Sequence, residues 1–256
     1  MFNVLGISTT GLTTESQVLG AVAANIANAD TPGYASRVTT IAGTAPVAER
    51  PPGVSLANQV LAAPLSLNEG ALLASDTPSF GQGVQPTQIA SNVAVQGAGF
   101  FMVSTPSGIA YTRAGNFTLD AGGELVLPSG AKLYPPVVIP QGEPFSISGD
   151  GVVTVAGAQG PQVVGRIQLA DIPNPTGLVA LGNNLYGLSV NTGTPVVGAP
   201  GQNGLGTLVP SAVNQSGTDL AQNLVNLVQA ETVYAMNAKV IAVDQTVNQA
   251  TTNLQV

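Results

Sequence analysis

Apolar residues recur every seven positions at both ends of this chain, and that spacing constrains the fold more than any other feature. In the C-terminal stretch, Ser216 to Val256, the residues Leu220, Leu227, Tyr234 and Ile241 form one row. Val233, Val240, Val247 and Leu254 form a second row beside it. No proline or glycine follows Gly217, and Asp219 with Gln222 makes a capping box that would open a helix there. Near the N-terminus, Leu5, Leu12, Leu19 and Ile26 form a similar row. A helix with an apolar seam at this period is suited to lie along other helices. Periodicity alone also allows a plainer arrangement, two surface helices packed on one globular core.

Composition narrows the choice. A chain of 256 residues has room for one large domain or two smaller ones. Hydrophobic residues make up 44% but charged residues only 7%, against about a quarter in ordinary domains. So few charges leave little to solvate a free surface, which points to a surface covered by partners. The net charge is −7 with six scattered basic residues, so no basic patch is available to neutralise phosphates and nucleic-acid binding is not expected. Cys, His and Trp are absent, which removes disulfides, thiolate and imidazole metal ligands, and His-dependent triads. The opening Met1-Phe2-Asn3-Val4 has no basic region, apolar run or cleavage site of a secretory signal. No window approaches the length of an apolar membrane span.

Residues 3 to 29 read as the first helix. Gly11 and Gly20 weaken it by about 1 kcal/mol each relative to Ala, and Thr9, Thr10, Thr13 and Thr14 weaken it further. Such a helix needs a partner. It must end at Pro32-Gly33, where proline bars helical geometry at Thr31 and glycine accepts a positive φ. Asn25 and Asn28 share a face near that end, placed to satisfy loose backbone groups.

Residues 35 to 90 are broken by Pro and Gly and read as a linker, with short strands around Val54 to Val60 and Gly83 to Gln88. Residues 91 to 210 read as all-β, with turn signals every 8 to 12 residues suggesting a sandwich or barrel. Val93 to Val103 reads as two strands around a Gly97-Ala98-Gly99 turn, and Ala121 to Glu124 as a hairpin turn. Further strands are expected at Leu125 to Leu127, Val137 to Ile139, Phe145 to Ile147, Val152 to Val155 and Val163 to Leu169. The Gly97 turn lacks the third glycine of a phosphate loop, with Met102 in its place. Asp120, Glu124 and Asp150 sit at turns and are too few and too spread for a Ca²⁺ site. Nothing marks a catalytic carboxylate pair, so no catalytic residue, cofactor or metal is expected. Arg113 reads as a structural or intersubunit partner for a nearby carboxylate.

The segment from Ala24 to Tyr34, ANIANADTPGY, resembles the N-terminal signature of bacterial flagellar rod, hook and hook-associated proteins. VQGAGFF, YTRAGNFTLDAGGELVLPSG, ISGDGVVTV, GRIQLADIPNPTGL and LGNNLYG follow in the order found in that family, most similar to distal rod subunits. The C-terminal stretch looks like the family's terminal helix, although Thr232-Val233 stands where Gln-Arg is usual before the aromatic Tyr234.

The expected fold is α+β. Terminal helices at 1–34 and 214–256 pair as a coiled-coil-like domain, 35–90 forms a linker or extended hairpin, and 91–213 forms a β-rich outer domain. The resemblance implies a torque-transmitting subunit that assembles into a helical tube. The residues expected to carry assembly are the apolar rows up to Val247 together with Asn25, Asn28, Pro32, Gly33 and Tyr34. Implied partners are further copies of the chain, proximal rod and hook subunits, periplasmic and outer-membrane ring proteins, and the flagellar type III export apparatus. The implied location is the basal-body rod across the periplasm, reached without a cleaved signal. Two alternatives stay open: a proximal rod or hook subunit, and a secreted β-rich adhesin or carbohydrate-binding module.

Overall fold

A computed structural model describes residues 2–45, 47–48, 66–67, 70–157 and 160–253. They fold into two compact units, one drawn from Met1–Ile26, Arg37–Asp76 and Leu220–Val256, the other from Ala27–Ser36 and Thr77–Asp219.

In the first unit, α1 spans Phe2–Ala27 and α2 spans Leu220–Asn253. α2 opens directly after Asp219 and runs 34 residues because nothing in it breaks a helix. The helices lie antiparallel. Asn25 meets Asn223, and a Cβ on Gly11 would stand 2.8 Å from the Asn237 side chain. The glycine that weakens α1 thus admits close approach of α2. β1 (Ser36–Gly43), β2 (Val47–Ala48), β3 (Ser66–Leu67) and β4 (Ala71–Ser79) follow, with β1 paired to β4 and β2 to β3. The threonines of α1 grip β4. Thr14 Oγ1 donates to the Ala71 carbonyl at 3.0 Å, and the Ala71 N–H donates to Thr10 Oγ1 at 3.4 Å. The strand expected at Val54 to Val60, and Leu254 of the second row, lie outside the described residues.

The second unit is almost entirely antiparallel β. It opens with β5 (Val84–Pro86) and β6 (Val93–Gln96), then β7 (Phe100–Thr105) and β8 (Gly108–Thr112), which form a hairpin. β9 (Thr118–Leu119), β10 (Leu125–Val126) and β11 (Lys132–Tyr134) make a meander. β12 (Phe145–Ile147), β13 (Val152–Gly157) and β14 (Gly160–Arg166) form a separate three-stranded sheet. Then come β15 (Leu169–Asp171), β16 (Val179–Gly182), β17 (Leu185–Gly187) and β18 (Val196–Gly198). β19 (Thr207–Pro210) pairs with β6, and β20 (Ala212–Asn214) with β5. The main sheet runs β16-β17-β8-β7-β11-β10-β9, with β15 linking β7 to β18.

β7 is central and covered on both faces, as its unbroken Phe100-Phe101-Met102-Val103 run requires. Phe101 and Val103 enter the main core with Phe117, Ile139, Ile167 and Leu169. Phe100 and Met102 enter a second cluster with Tyr111, Ile172 and Tyr186. Phe101 meets Phe117 edge to face, with ring centroids 5.3 Å apart.

Several expected details differ. β6 and β7 do not pair with each other, because the glycine turn between them passes the chain from one sheet to another. The segment from Val163 to Leu169 is split into β14 and β15, with Ile167 turned into the core between them. Val137 to Ile139 forms no strand. Val138 makes a single bridge to Glu124, and Val137 and Ile139 serve as core residues. β11 was hidden in sequence, since Lys132-Leu133-Tyr134 is short and abuts Pro135. Among the described residues no helix is long and apolar enough to cross a membrane.

Candidate assembly surface

The signature between Ala24 and Tyr34 serves both units. In the helical unit, Asn25 is buried and treats Arg37 as a strand partner would. It accepts from the Arg37 N–H at 2.7 Å and donates to the Arg37 carbonyl at 2.9 Å. Its amide also donates to Asn223 Oδ1 of α2 at 3.1 Å. One side chain therefore ties the end of α1 to the start of β1 and to α2. Asn28 is half-buried and accepts from Thr31 Oγ1 at 3.2 Å, holding the turn that closes the helix.

In the β unit, Pro32, Gly33 and Tyr34 are seated by backbone bonds. The Gly33 N–H donates to the Asn214 carbonyl at 2.8 Å, and the Tyr34 carbonyl accepts from the Gly217 N–H at 2.8 Å. Asn184 donates to the Pro32 carbonyl at 3.3 Å, and Gln82 to the Gly33 and Tyr34 carbonyls. Gly33 has φ +70, and a Cβ there would lie 2.3 Å from the Ala114 nitrogen, so no other residue fits. Asn214, fully buried, bonds both the N–H and the carbonyl of Val95. Its role is not readable from sequence, because a lone Asn at the end of a short strand carries no periodic signal.

The heptad rows divide. In the row Leu220, Leu227, Tyr234 and Ile241, Leu227 and Ile241 are half-buried while Leu220 and Tyr234 are exposed. In the second row, Val233, Val240 and Val247 are all exposed. On α1, Leu5 is exposed and Leu12, Leu19 and Ile26 are half-buried. The face that α2 turns toward α1 is another seven-residue row, Asn223, Ala230, Asn237 and Asp244, with the first two buried. On α2 the inward row is polar and small, while Val233, Met236, Val240, Val243 and Val247 are exposed. Val4, Met236, Lys239, Val240, Val243, Asp244 and Val247 line a mainly apolar groove of about 480 Å³.

The charged side chains elsewhere hold turns. Asp120 Oδ1 accepts from the Gly122 and Glu124 N–H groups, and Lys132 pairs with both Asp120 and Glu124. The Glu124 N–H, more than any other group, holds the Asp120 carboxyl below its usual value. Arg113 lies just past β8 and makes no ion pair within contact distance among the described residues, though Asp171 is near enough to act on its charge. It is buried with its guanidinium 4.9 Å from the centre of the Phe100 ring. Burial pushes it down to about 10, against the pull of Asp171. Among the described residues no three His, Cys, Asp or Glu side chains gather to hold a metal.

Known proteins are similar to this chain in sequence along most of its length. Residues 5–34 match the flagella basal body rod protein family, and residues 94–155 match the flagellar hook protein FlgE/F/G D1 domain. The flagellar basal-body rod protein FlgG of Buchnera aphidicola from Acyrthosiphon pisum is 34% identical over 248 residues, covering 94% of this chain and 95% of its own. FlgG of Borreliella burgdorferi is 30% identical over 261 residues, covering 94% of each. The flagellar hook protein FlgE of Escherichia coli, 31% identical over 112 residues, covers only 43% of this chain and 28% of its own. With relatives at 30–34% identity over 94% of its length, the chain belongs to the flagellar basal-body rod protein family, as a structural subunit of the flagellar axial assembly.

Proposed function

We propose that this chain is a distal rod subunit that polymerises through its terminal helices into a tube carrying torque to the hook. The observation that carries the reading is the apolar row on α2, three valines at seven-residue spacing that stay exposed in the single chain. The end-to-end match to rod proteins named FlgG supports the distal assignment over a hook subunit, whose relative aligns over less than half of the chain. A secreted adhesin accounts for neither the signature nor that match.

In this reading the apolar rows and the Asn25-to-Tyr34 signature build the axial tube, and residues 91–213 form its outer layer. Proximal rod and hook subunits lie at its two ends, and ring proteins surround it across the periplasm. The subunit reaches that place through the flagellar type III apparatus without a cleaved signal. The test is electron microscopy and sedimentation of purified protein over a concentration series. Tubes that appear above a threshold concentration are expected, and Val240→Asp should abolish them. A monomer that forms no polymer at any concentration, alone or on purified rod ends, would overturn the reading.

A further inference from the structure

The loop between β18 and β19 turns back on itself through Gln202-Asn203-Gly204-Leu205. The Leu205 N–H donates to the Gln202 carbonyl at 2.9 Å, and Asn203 and Gly204 take φ +52 and +82. This is a type I′ turn, which favours Asn-Gly because both central residues need a positive φ. The same dipeptide is also the one most prone to react with its own backbone. The Gly204 nitrogen can close a five-membered ring on Asn203 Cγ, and a residue without a Cβ leaves that nitrogen unhindered. The chain has one Asn-Gly. Both residues are exposed, and nothing stands within 4 Å of where a Gly204 Cβ would lie. Among the described residues, no hydrogen bond holds the Gly204 N–H or the Asn203 side chain. The one Asp-Gly, Asp150-Gly151, is restrained at both reacting groups. The Gly151 N–H donates to the Ser148 carbonyl at 3.0 Å, and the Asp150 carboxylate accepts from Ser148 Oγ beside Arg166.

We infer that Asn203 is a site of spontaneous modification to aspartate and isoaspartate, and that the isoaspartate form frees Leu205 from the β core. The Gly204 nitrogen bonds to Asn203 Cγ, the Cγ–Nδ2 bond breaks, and ammonia leaves with the Gly204 amide proton. Water then opens the cyclic imide at either carbonyl. Opening at the side-chain carbonyl gives aspartate and keeps the turn. Opening at the main-chain carbonyl gives isoaspartate, which routes the backbone through the side chain and adds a carbon between residues 203 and 204. The turn is closed too tightly to absorb it, because the Gly201 N–H also donates to the Gly206 carbonyl at 2.9 Å outside the Leu205 bond. Leu205 then moves. It is buried between two glycines, since a Cβ on Gly198 would stand 2.9 Å from its Cδ1 and one on Gly99 3.1 Å from its Cδ2.

The unsubstituted chain, incubated at neutral pH and digested in acid, tests this by peptide mass spectrometry against an unincubated control. The peptide with Asn203 should trade its amide for a carboxyl at least about tenfold faster than any other asparagine peptide, a barrier lower by about 1.4 kcal/mol. Asn203→Gln, which needs a larger ring, should abolish the change. Chains carrying isoaspartate, identified by its fragment ions, should show at least about tenfold faster hydrogen exchange at Leu205 and Gly206, while fresh Asn203→Asp keeps the original rate. Conversion at Asn203 no faster than at the other asparagines would overturn the site. Aspartate without isoaspartate, or isoaspartate with exchange at Leu205 and Gly206 unchanged, would overturn the release of Leu205.

Discussion

The two units of this molecule differ in how completely they bury their apolar side chains. The β unit closes its apolar side chains inside, with Phe101, Phe117, Ile139, Ile167 and Leu169 sealed from solvent. The helical unit does so only in part. Its described interior mixes Ala21, Val22 and Ala230 with Ser8, Thr14, Asn25 and Asn223, while Leu220, Leu224, Val233, Met236 and Val240 are exposed. Hydrophobic burial stabilises folding at about 25 cal/mol per Å² removed from water, so the β unit holds its stability within one chain. The helical unit gains most of that term only when another surface covers it. The one chain thus joins a finished domain to an unfinished one, and the unfinished one is where assembly acts.

Substitutions can break this contrast. Phe117→Ala should cost about 3–5 kcal/mol in urea unfolding followed by the β signal, as for a large aromatic lost from a packed core. Val240→Ala in the same dilute protein should move that midpoint by less than about 0.5 kcal/mol, since the side chain touches solvent. A comparable loss from both would mean that α2 is already buried in the monomer. Gly33→Ala should cost the β unit about 2–3 kcal/mol, from its positive φ and the displaced Ala114 backbone. Thermal melting of the two variants side by side would show whether the signature belongs energetically to that unit.

Asn223→Ala should cost about 1–2 kcal/mol, confined to the helical unit, by removing a buried acceptor from the Asn25 amide. In the polymer, amide exchange near Ala21 and Val22 should speed up while Phe101 and Val103 stay unchanged. The smallest effect concerns Asp120. Its carboxyl is held below the usual 3.8, chiefly by the Glu124 N–H, so its contribution is present above that value and fades as pH falls through the lower folded one. Asp120→Asn should remove that acid dependence from the Glu124 amide resonance and leave α1 and α2 untouched.

The fold class was legible because each unit repeats its own period. Seven-residue rows marked α1 and α2, and short apolar runs between turn residues marked most strands. The helix ends could be read from Asp219 and from Pro32-Gly33, whose chemistry is local. What escaped was long-range. That β6 leaves β7 for β19 depends on which strands meet, and no residue near Gly97 states it. The α1-facing row of α2 escaped for a different reason. Asn223, Ala230 and Asn237 are polar or small, so a search for apolar periodicity passes over them and finds the outward rows instead. The Phe100 ring beside Arg113 was not legible either, because it lies on another strand.

The central claim is that α1 and α2 hold little stability before assembly while the β unit holds its own. Hydrogen exchange on dilute monomer and on polymer, resolved by peptide, tests it directly. The account predicts fast exchange across 220–253 in the monomer, slow exchange across β7 and β8 in both states, and protection of α2 only in the polymer. Protection of α2 in dilute monomer equal to that of β7 would contradict it, since the helices would then be complete without a neighbour.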